Sequence, residues 1–286
     1  MKVVISPNPY RDRQCKYALQ ARNILERLGI ETVMCLPFDL DRPFDFPQGI
    51  SFVPIEEALV HCDIFLCLGG DGTILHASRL VAEKGIPILG VNIGTLGFMA
   101  DMEACELELL DKLKTGEYRV EDRMMLEARV IRNGETVYHE HGLNDVVVTK
   151  GAVARVLQLD VSCDQVEVMS FSGDGVVIST PTGSTAYSLS AGGPIVEPTT
   201  RNILITPICA HGQNVNCFVT ESSRTISVDV NRIGRKSAFL SVDGGRAFRV
   251  ESTDNVLVQR SERTSKLVRL KNSNFFDTIN KKFFNS

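Results

Sequence analysis

Residues Gly69-Gly70-Asp71-Gly72-Thr73 set one carboxylate among glycines directly after an apolar run, Asp63-Ile64-Phe65-Leu66-Cys67-Leu68. Glycines let backbone N–H groups approach an anion closely, and a helix that starts there favours negative charge. A carboxylate inside a phosphate cradle repels what the cradle holds. Its use would be to hold a metal ion or to take a proton from a nucleophile. The same five residues can also close a strand–helix connection that binds nothing.

Three further segments carry candidate chemistry. Asn92-Ile93-Gly94-Thr95-Leu96-Gly97-Phe98-Met99 follows another apolar strand and could line the same crevice or serve as a plain connection. Asn144-Asp145 offers an amide that donates and accepts beside a carboxylate that accepts, which suits vicinal hydroxyls of a sugar; the pair also makes an ordinary turn. The longest segment runs from Gly173 to Pro194 and contains Thr180-Pro181-Thr182-Gly183-Ser184-Thr185-Ala186-Tyr187-Ser188. Its small residues would let a flat ring lie close to the backbone, its hydroxyls would bond the ring edge, and Tyr187 would form an aromatic wall.

The elements that position these segments fall into two kinds. Up to about residue 115, strand and helix signals alternate: strands at Lys2–Ser6, Ile30–Leu36, Asp63–Leu68 and Ile86–Val91, and helices at Asp12–Leu28, Ile55–His61 and Thr73–Lys84 closed by Gly85. This pattern predicts a parallel sheet covered on both faces, with ligands beyond the carboxyl ends of the strands. Asp41 to Gly49, rich in Asp, Pro and Phe, reads as a mobile loop. Beyond Tyr118 come short alternating runs: Met124–Arg132, Leu157–Cys163, Val166–Met169, Arg224–Val230, Ala238–Val242 and Val256–Arg260. Turns such as Asn133-Gly134 and Asp243-Gly244-Gly245 separate some of them. The expected organisation is an α/β domain over 1–119, a mostly antiparallel β domain over 120–265, and a tail over 266–286. The tail's Phe275, Phe276, Ile279, Phe283 and Phe284 form a helical stripe that packs back on the first domain.

Composition narrows the class. A hydrophobic content of 43% and a charged content of 23% are those of a soluble globular protein, and a formal net charge of -4 gives no reason to expect nucleic acid or an anionic membrane as partner. The apolar runs are too short to span a bilayer, and Met1 to Pro7 has no signal-peptide core. The eight cysteines form no Cys-x-x-Cys pair and read as reduced thiols, which points to the cytoplasm.

Taken in order and spacing, Gly-Gly-Asp-Gly-Thr, Asn-Asp and Thr-Pro-Thr-Gly-Ser-Thr-Ala-Tyr-Ser-Leu-Ser-Ala-Gly-Gly-Pro closely resemble the NAD kinase family, over nearly the whole chain. The resemblance implies transfer of the γ-phosphoryl group of ATP, or of polyphosphate, to the adenosine-ribose 2′-hydroxyl of NAD, with a divalent ion, Mg2+, carried mainly on the donor's phosphates. It implies Asp71 as general base, and Gly69, Gly70, Gly72 and Thr73 as the phosphate-holding turn. Asn144 and Asp145 would grip ribose hydroxyls, and Thr185, Ala186, Tyr187 and Ser188 would line the adenine side. Asp174 would serve the NAD site across a subunit interface of a homodimer or homotetramer, and His211 aligns with a family histidine near that site. Two alternative readings stand beside it, a lipid kinase of the diacylglycerol or sphingosine type and a non-catalytic NAD(P)-binding sensor. One departure stands out: Gly245 replaces the glutamine that many relatives carry after Asp-Gly.

Overall fold

A computed structural model describes residues 1–38, 44, 46–95, 97–151, 155–212, 215–231, 237–272 and 274–283. The expected Asp41 to Gly49 loop falls partly outside the described residues, as do Leu96 and Phe284. The chain divides into two compact units, one formed by Met1–Asp122 with Ser265–Ser286 and the other by Arg123–Thr264.

In the first unit, strands β1 (Lys2–Pro7), β2 (Glu31–Met34), β3 (Ile64–Gly69) and β4 (Ile88–Asn92) pair in parallel in the order β2-β1-β3-β4, and the two-residue β5 (Met102–Glu103) adds to β4. The register sets Val4 beside Phe65 and Leu66 beside Leu89. Every residue of β3 is buried, as the unbroken apolar run requires of a strand covered on both faces. Helix α1 (Lys16–Arg27) and the 3-10 stretch Ala104–Asp111 bury Ala18, Ala21, Leu25, Leu107 and Leu110 against Val3, Ile5, Leu66, Leu68 and Val91. The remaining helices up to residue 122 are α2 (Ile55–Ala58), α3 (Asp71–Val81) and α4 (Lys112–Thr115).

Two helix starts differ from the periodicity, and each has a local cause. α1 begins at Lys16 instead of Asp12 because the Asp12 carboxylate accepts the N–H groups of Tyr17 and Ala18 at 3.0 and 2.9 Å, holding the first turn from outside it. Gln14 and Cys15, at φ 54° and 52°, interrupt the helix between them. α3 begins at Asp71, two residues before the expected start, so the carboxylate sits in the helix's first turn. Gly85 ends the following 3-10 turn at φ +64°, a backbone that glycine adopts without strain.

The second unit is two antiparallel sheets. Strands β6 (Arg119–Arg132), which starts in the first unit, and β7 (Glu135–Gly142) form a hairpin around Asn133-Gly134, whose φ values of 52° and 85° are those of the tight turn that pair favours. Strands β8 (Asp145–Lys150), β9 (Leu157–Cys163), β10 (Val166–Gly173), β11 (Gly175–Ser179), β12 (Asn202–Ile208), β13 (Phe218–Glu221), β14 (Ile226–Asn231), β15 (Ala238–Val242), β16 (Phe248–Val250) and β17 (Asn255–Arg269) complete it, with a single turn of helix, α5 (Tyr187–Ser190), after β11. One sheet runs β13-β12-β11-β8-β15-β16; in the other, β10-β9-β14-β17 is extended by β6, which pairs β17, and by β7. The inward residues of both, among them Val146, Val148, Val176, Ile178, Leu159, Val161, Val228 and Val258, make one core.

β17 runs past the second unit, and its Leu267 pairs in parallel with Ile88. Helix α6 (Phe275–Phe283) then follows within the first unit, where Phe275 and Phe283 pack on Phe98. The expected return of the tail to the α/β part is therefore observed. Among the described residues no helix is long and apolar enough to cross a membrane.

Candidate active site

The candidate residues lie on two units. In the first, Asp71 stands at the N-terminus of α3, where the unpaired N–H groups of the opening turn favour negative charge. Its two carboxylate oxygens accept the backbone N–H groups of Phe98 at 2.8 Å and Met99 at 3.0 Å. Gly97 makes this possible, because a Cβ there would stand 2.2 Å from Asp71 Oδ1. The segment after β4 therefore reaches the aspartate through its backbone. Phe98 and Met99 are neighbours of Asp71 that no single residue of that segment announces.

The glycines of the turn differ in what they do. A Cβ on Gly69 would strike the Thr73 hydroxyl at 2.3 Å, so this glycine serves close packing of strand on helix. Gly70 and Gly72 would meet nothing within 4 Å, which leaves open space at the helix start for an anion to reach the backbone. Thr73 is buried, and its hydroxyl accepts the Asn8 side-chain amide at 2.9 Å. Its hydroxyl is thus tied to β1's end.

The support behind Asp71 comes from the C-terminal segment. Arg269 donates to the Met99 carbonyl at 2.8 Å and to Glu121 at 3.0 Å, while Asp101 accepts the N–H of Leu270 at 2.8 Å. Lys282 Nζ sits 4.1 Å from the Phe98 ring centroid, a cation over an aromatic face.

In the second unit, Asn144-Asp145 and the hydroxyl-rich turn are fastened together. Thr180 donates its N–H to the Asn144 carbonyl at 2.9 Å and its hydroxyl to the Leu143 carbonyl at 2.6 Å. A Cβ on Gly183 would stand 2.1 Å from the Asn144 carbonyl oxygen, so only glycine fits that contact. The Asn144 side-chain oxygen is buried and accepts no hydrogen bond from the described residues, an acceptor left for a hydroxyl. From the other side, Asp243 accepts the N–H groups of Leu143 at 2.7 Å, Asn144 at 2.8 Å and Asp145 at 3.0 Å. Asp243 belongs to the turn singled out for its missing glutamine, and its carboxylate is a positioning group that sequence reasoning passed over.

Beyond the turn, Thr185 and Ala186 are half-buried and Tyr187 is 42% exposed, as a wall would be. Partial burial raises the pKa of the Tyr187 hydroxyl, and the electrostatic influence of the nearby Cys209, Asp174 and Asp145 adds to it. Ser188 differs from its neighbours: it is fully buried, and its hydroxyl shares a 2.9 Å hydrogen bond with Thr206. Asp174 is paired with Lys150 at 2.6 Å, a lysine at a strand end that carried no motif. His211 is exposed and donates its N–H to the Ser172 carbonyl at 2.7 Å, which sets it beside the strand end leading to Asp174.

All eight cysteines are free thiols. Burial pushes Cys15 up to about 11 and Cys35 up to about 12. Among the described residues, the one cluster of three metal-ligating side chains is in the second unit, away from Asp71 in sequence, at Glu127, His139 and His141.

The known proteins this chain is similar to are phosphotransferases. The family model of the ATP-NAD kinase N-terminal domain matches residues 52–118, and that of the ATP-NAD kinase C-terminal domain matches residues 143–270. An NAD kinase of Acetivibrio thermocellus is 37% identical over 286 residues, covering 99% of this chain and 97% of its own. One of Carboxydothermus hydrogenoformans is 42% identical over 234 residues, covering 82% and 83%. A crystal structure of yeast NADH kinase complexed with NADH superposes with a TM-score of 0.85 at 25% identity, covering 100% of this chain and 89% of that one. An NAD kinase from Archaeoglobus fulgidus in complex with ATP shares the fold, with a TM-score of 0.72. The chain belongs to the NAD kinase family.

Proposed function

We propose that this chain transfers the γ-phosphoryl group of ATP to the 2′-hydroxyl of the adenosine ribose of NAD, making NADP and ADP. The observation that carries the reading is an intact Gly69–Thr73 turn, with Asp71 at a helix N-terminus, in a chain of this family. In the step, the ribose oxygen bonds to the γ-phosphorus as the bond to the β,γ-bridging oxygen breaks, and the hydroxyl proton passes to Asp71. A ribose hydroxyl is far too weak an acid for a carboxylate to ionise beforehand, so proton transfer accompanies attack. Each Asp71 oxygen that accepts one N–H retains a further lone pair for the proton.

Gly70 and Gly72 would give the phosphates room at the N–H groups of α3. The divalent ion would arrive on those phosphates as part of the donor. This fits a carboxylate already engaged by backbone N–H groups. In the second unit, the unpaired Asn144 oxygen and Asp145 would take ribose hydroxyls, and Thr185, Ala186 and Tyr187 the adenine face. Ser188, whose hydroxyl is spent on Thr206, would support that wall from behind. Asp174 and His211 would serve NAD in a homodimer or homotetramer, and unpaired cysteines suit a reducing cytoplasm.

Incubation of the purified protein with NAD, Mg2+ and either ATP or polyphosphate tests the reading. NADP is expected with ATP. No NADP or NADPH from NAD or NADH with either donor would overturn it, and a product from diacylglycerol or a sphingoid base would favour the lipid-kinase alternative.

A further inference from the structure

The hairpin of β6 and β7 carries two histidines, His139 and His141, at a spacing of two. Side chains two apart on a strand leave the same face. Across the hairpin, Glu127 pairs with His141 and Arg129 with His139. One ligand atom from each of Glu127, His139 and His141 lies within 4.8 Å of the other two, and the imidazole centroids are 4.9 Å apart.

We propose that Glu127, His139 and His141 form a binding site for a divalent transition-metal ion, Zn2+ foremost, on the β unit. Two imidazoles and one carboxylate are a donor set that zinc takes, with a further position left to water. The partners that usually surround such ligands are already in place. Ser261 holds Nδ1 of His141 at 2.9 Å, leaving Nε2 for the ion. Arg129 and Gln259 donate to the Glu127 oxygens, at 2.9 Å and 2.6 Å for Oε2, and so fix the carboxylate's direction. At present His139 Nε2 and Glu127 Oε1 touch each other at 2.7 Å. An ion would enter between them, taking one lone pair from each.

Charge sets the strength. Arg129 lies on the Glu127 carboxylate at 2.9 Å, so a dication meets a positive neighbour. The expected affinity is that of an exchangeable site, weaker than a structural zinc. Among the described residues β7 pairs only with β6, so an ion shared by Glu127 and the two histidines would clasp that outer strand to its neighbour.

The test uses the full-length protein with exposed thiols alkylated, because Cys105, Cys209 and Cys217 are exposed and would bind zinc themselves. Zn2+ is titrated by calorimetry into the unsubstituted chain and into the His139→Gln/His141→Gln double variant. One equivalent per chain is expected, weakened roughly tenfold or more in the double variant. Zn2+ should raise the Tm of the unsubstituted chain and leave that of the double variant unmoved. NADP formation by the zinc-free double variant, assayed with Mg2+ and ATP, should be unchanged. Binding that is absent, or equally strong in the double variant, overturns the proposal. If the double variant does not fold, Co2+ broadening of ring-proton signals in the unsubstituted chain decides: broadening centred on His139 and His141 supports the site, and its absence there overturns it.

Discussion

Asp243 shows how one carboxylate can shape a turn it does not belong to. Its two oxygens accept three consecutive N–H groups, from Leu143 to Asp145. Asp243→Asn would keep one acceptor and turn an amide hydrogen toward another N–H, at a cost of about 1–3 kcal/mol. With the Asn144-Asp145 turn loosened, steady-state kinetics should show KM for NAD rising several-fold and kcat falling less. An unchanged KM would remove Asp243 from substrate positioning. Asp71→Asn should do the reverse, leaving NAD binding largely intact and lowering turnover by roughly 10²–10⁴-fold, the usual span of a general base. Gly97→Ala offers a subtler check, since its methyl must push against Asp71 Oδ1. Turnover should drop while NAD affinity, measured by calorimetry, holds.

At the scale of elements, the C-terminal helix stands behind the Asp71 carboxylate through one ring. Phe275 and Phe283 pack on Phe98, and the Phe98 N–H is one of the two donors to Asp71. Truncation before Phe275 and the single change Phe98→Ala should both lower kcat. Combined, they should cost little more than either alone, because they break one chain of contacts. Additive losses in a double-mutant cycle would show two separate effects.

Most of these elements were legible in the residues. The Gly85 stop, the Asn133-Gly134 hairpin and the alternation of β14 each follow from local chemistry that tertiary packing does not oppose. What escaped was non-local. The start of α1 depends on a carboxylate outside the helix, and the length of β17 depends on Leu267 finding Ile88. The grip of Asp243 on Leu143, Asn144 and Asp145 spans about a hundred residues that no local pattern connects. The motifs marked the candidate residues, and the resemblance supplied their roles. Which hydroxyls are spent inside the protein, as Ser188's is on Thr206, required neighbours that only folding brings together.

For the molecule as a whole, acid should act through paired carboxylates. Asp254 is buried, and a two-pronged hydrogen bond from Arg132 at 2.7 and 2.8 Å holds its carboxyl below the ordinary 3.8, against the opposing effect of burial. Asp164 is likewise lowered by Arg224 and by the Thr225 N–H. A carboxyl whose folded value lies below its unfolded one stabilises fully above the unfolded value and loses that contribution as pH falls through the folded value. Denaturation midpoints of the wild type and of Asp254→Asn should therefore lie far apart at neutral pH and converge below pH 3.8. A gap that stays constant down to the acid limit would assign the cost to shape instead of charge.

The paired donors at Asp71 also make the protein its own sensor. The Phe98 and Met99 amide hydrogens are held by the Asp71 carboxylate, so their exchange with deuterated water should report how that carboxylate is engaged. Donor and acceptor analogues could then be ranked by whether they release those two amides, without turnover or an attached dye.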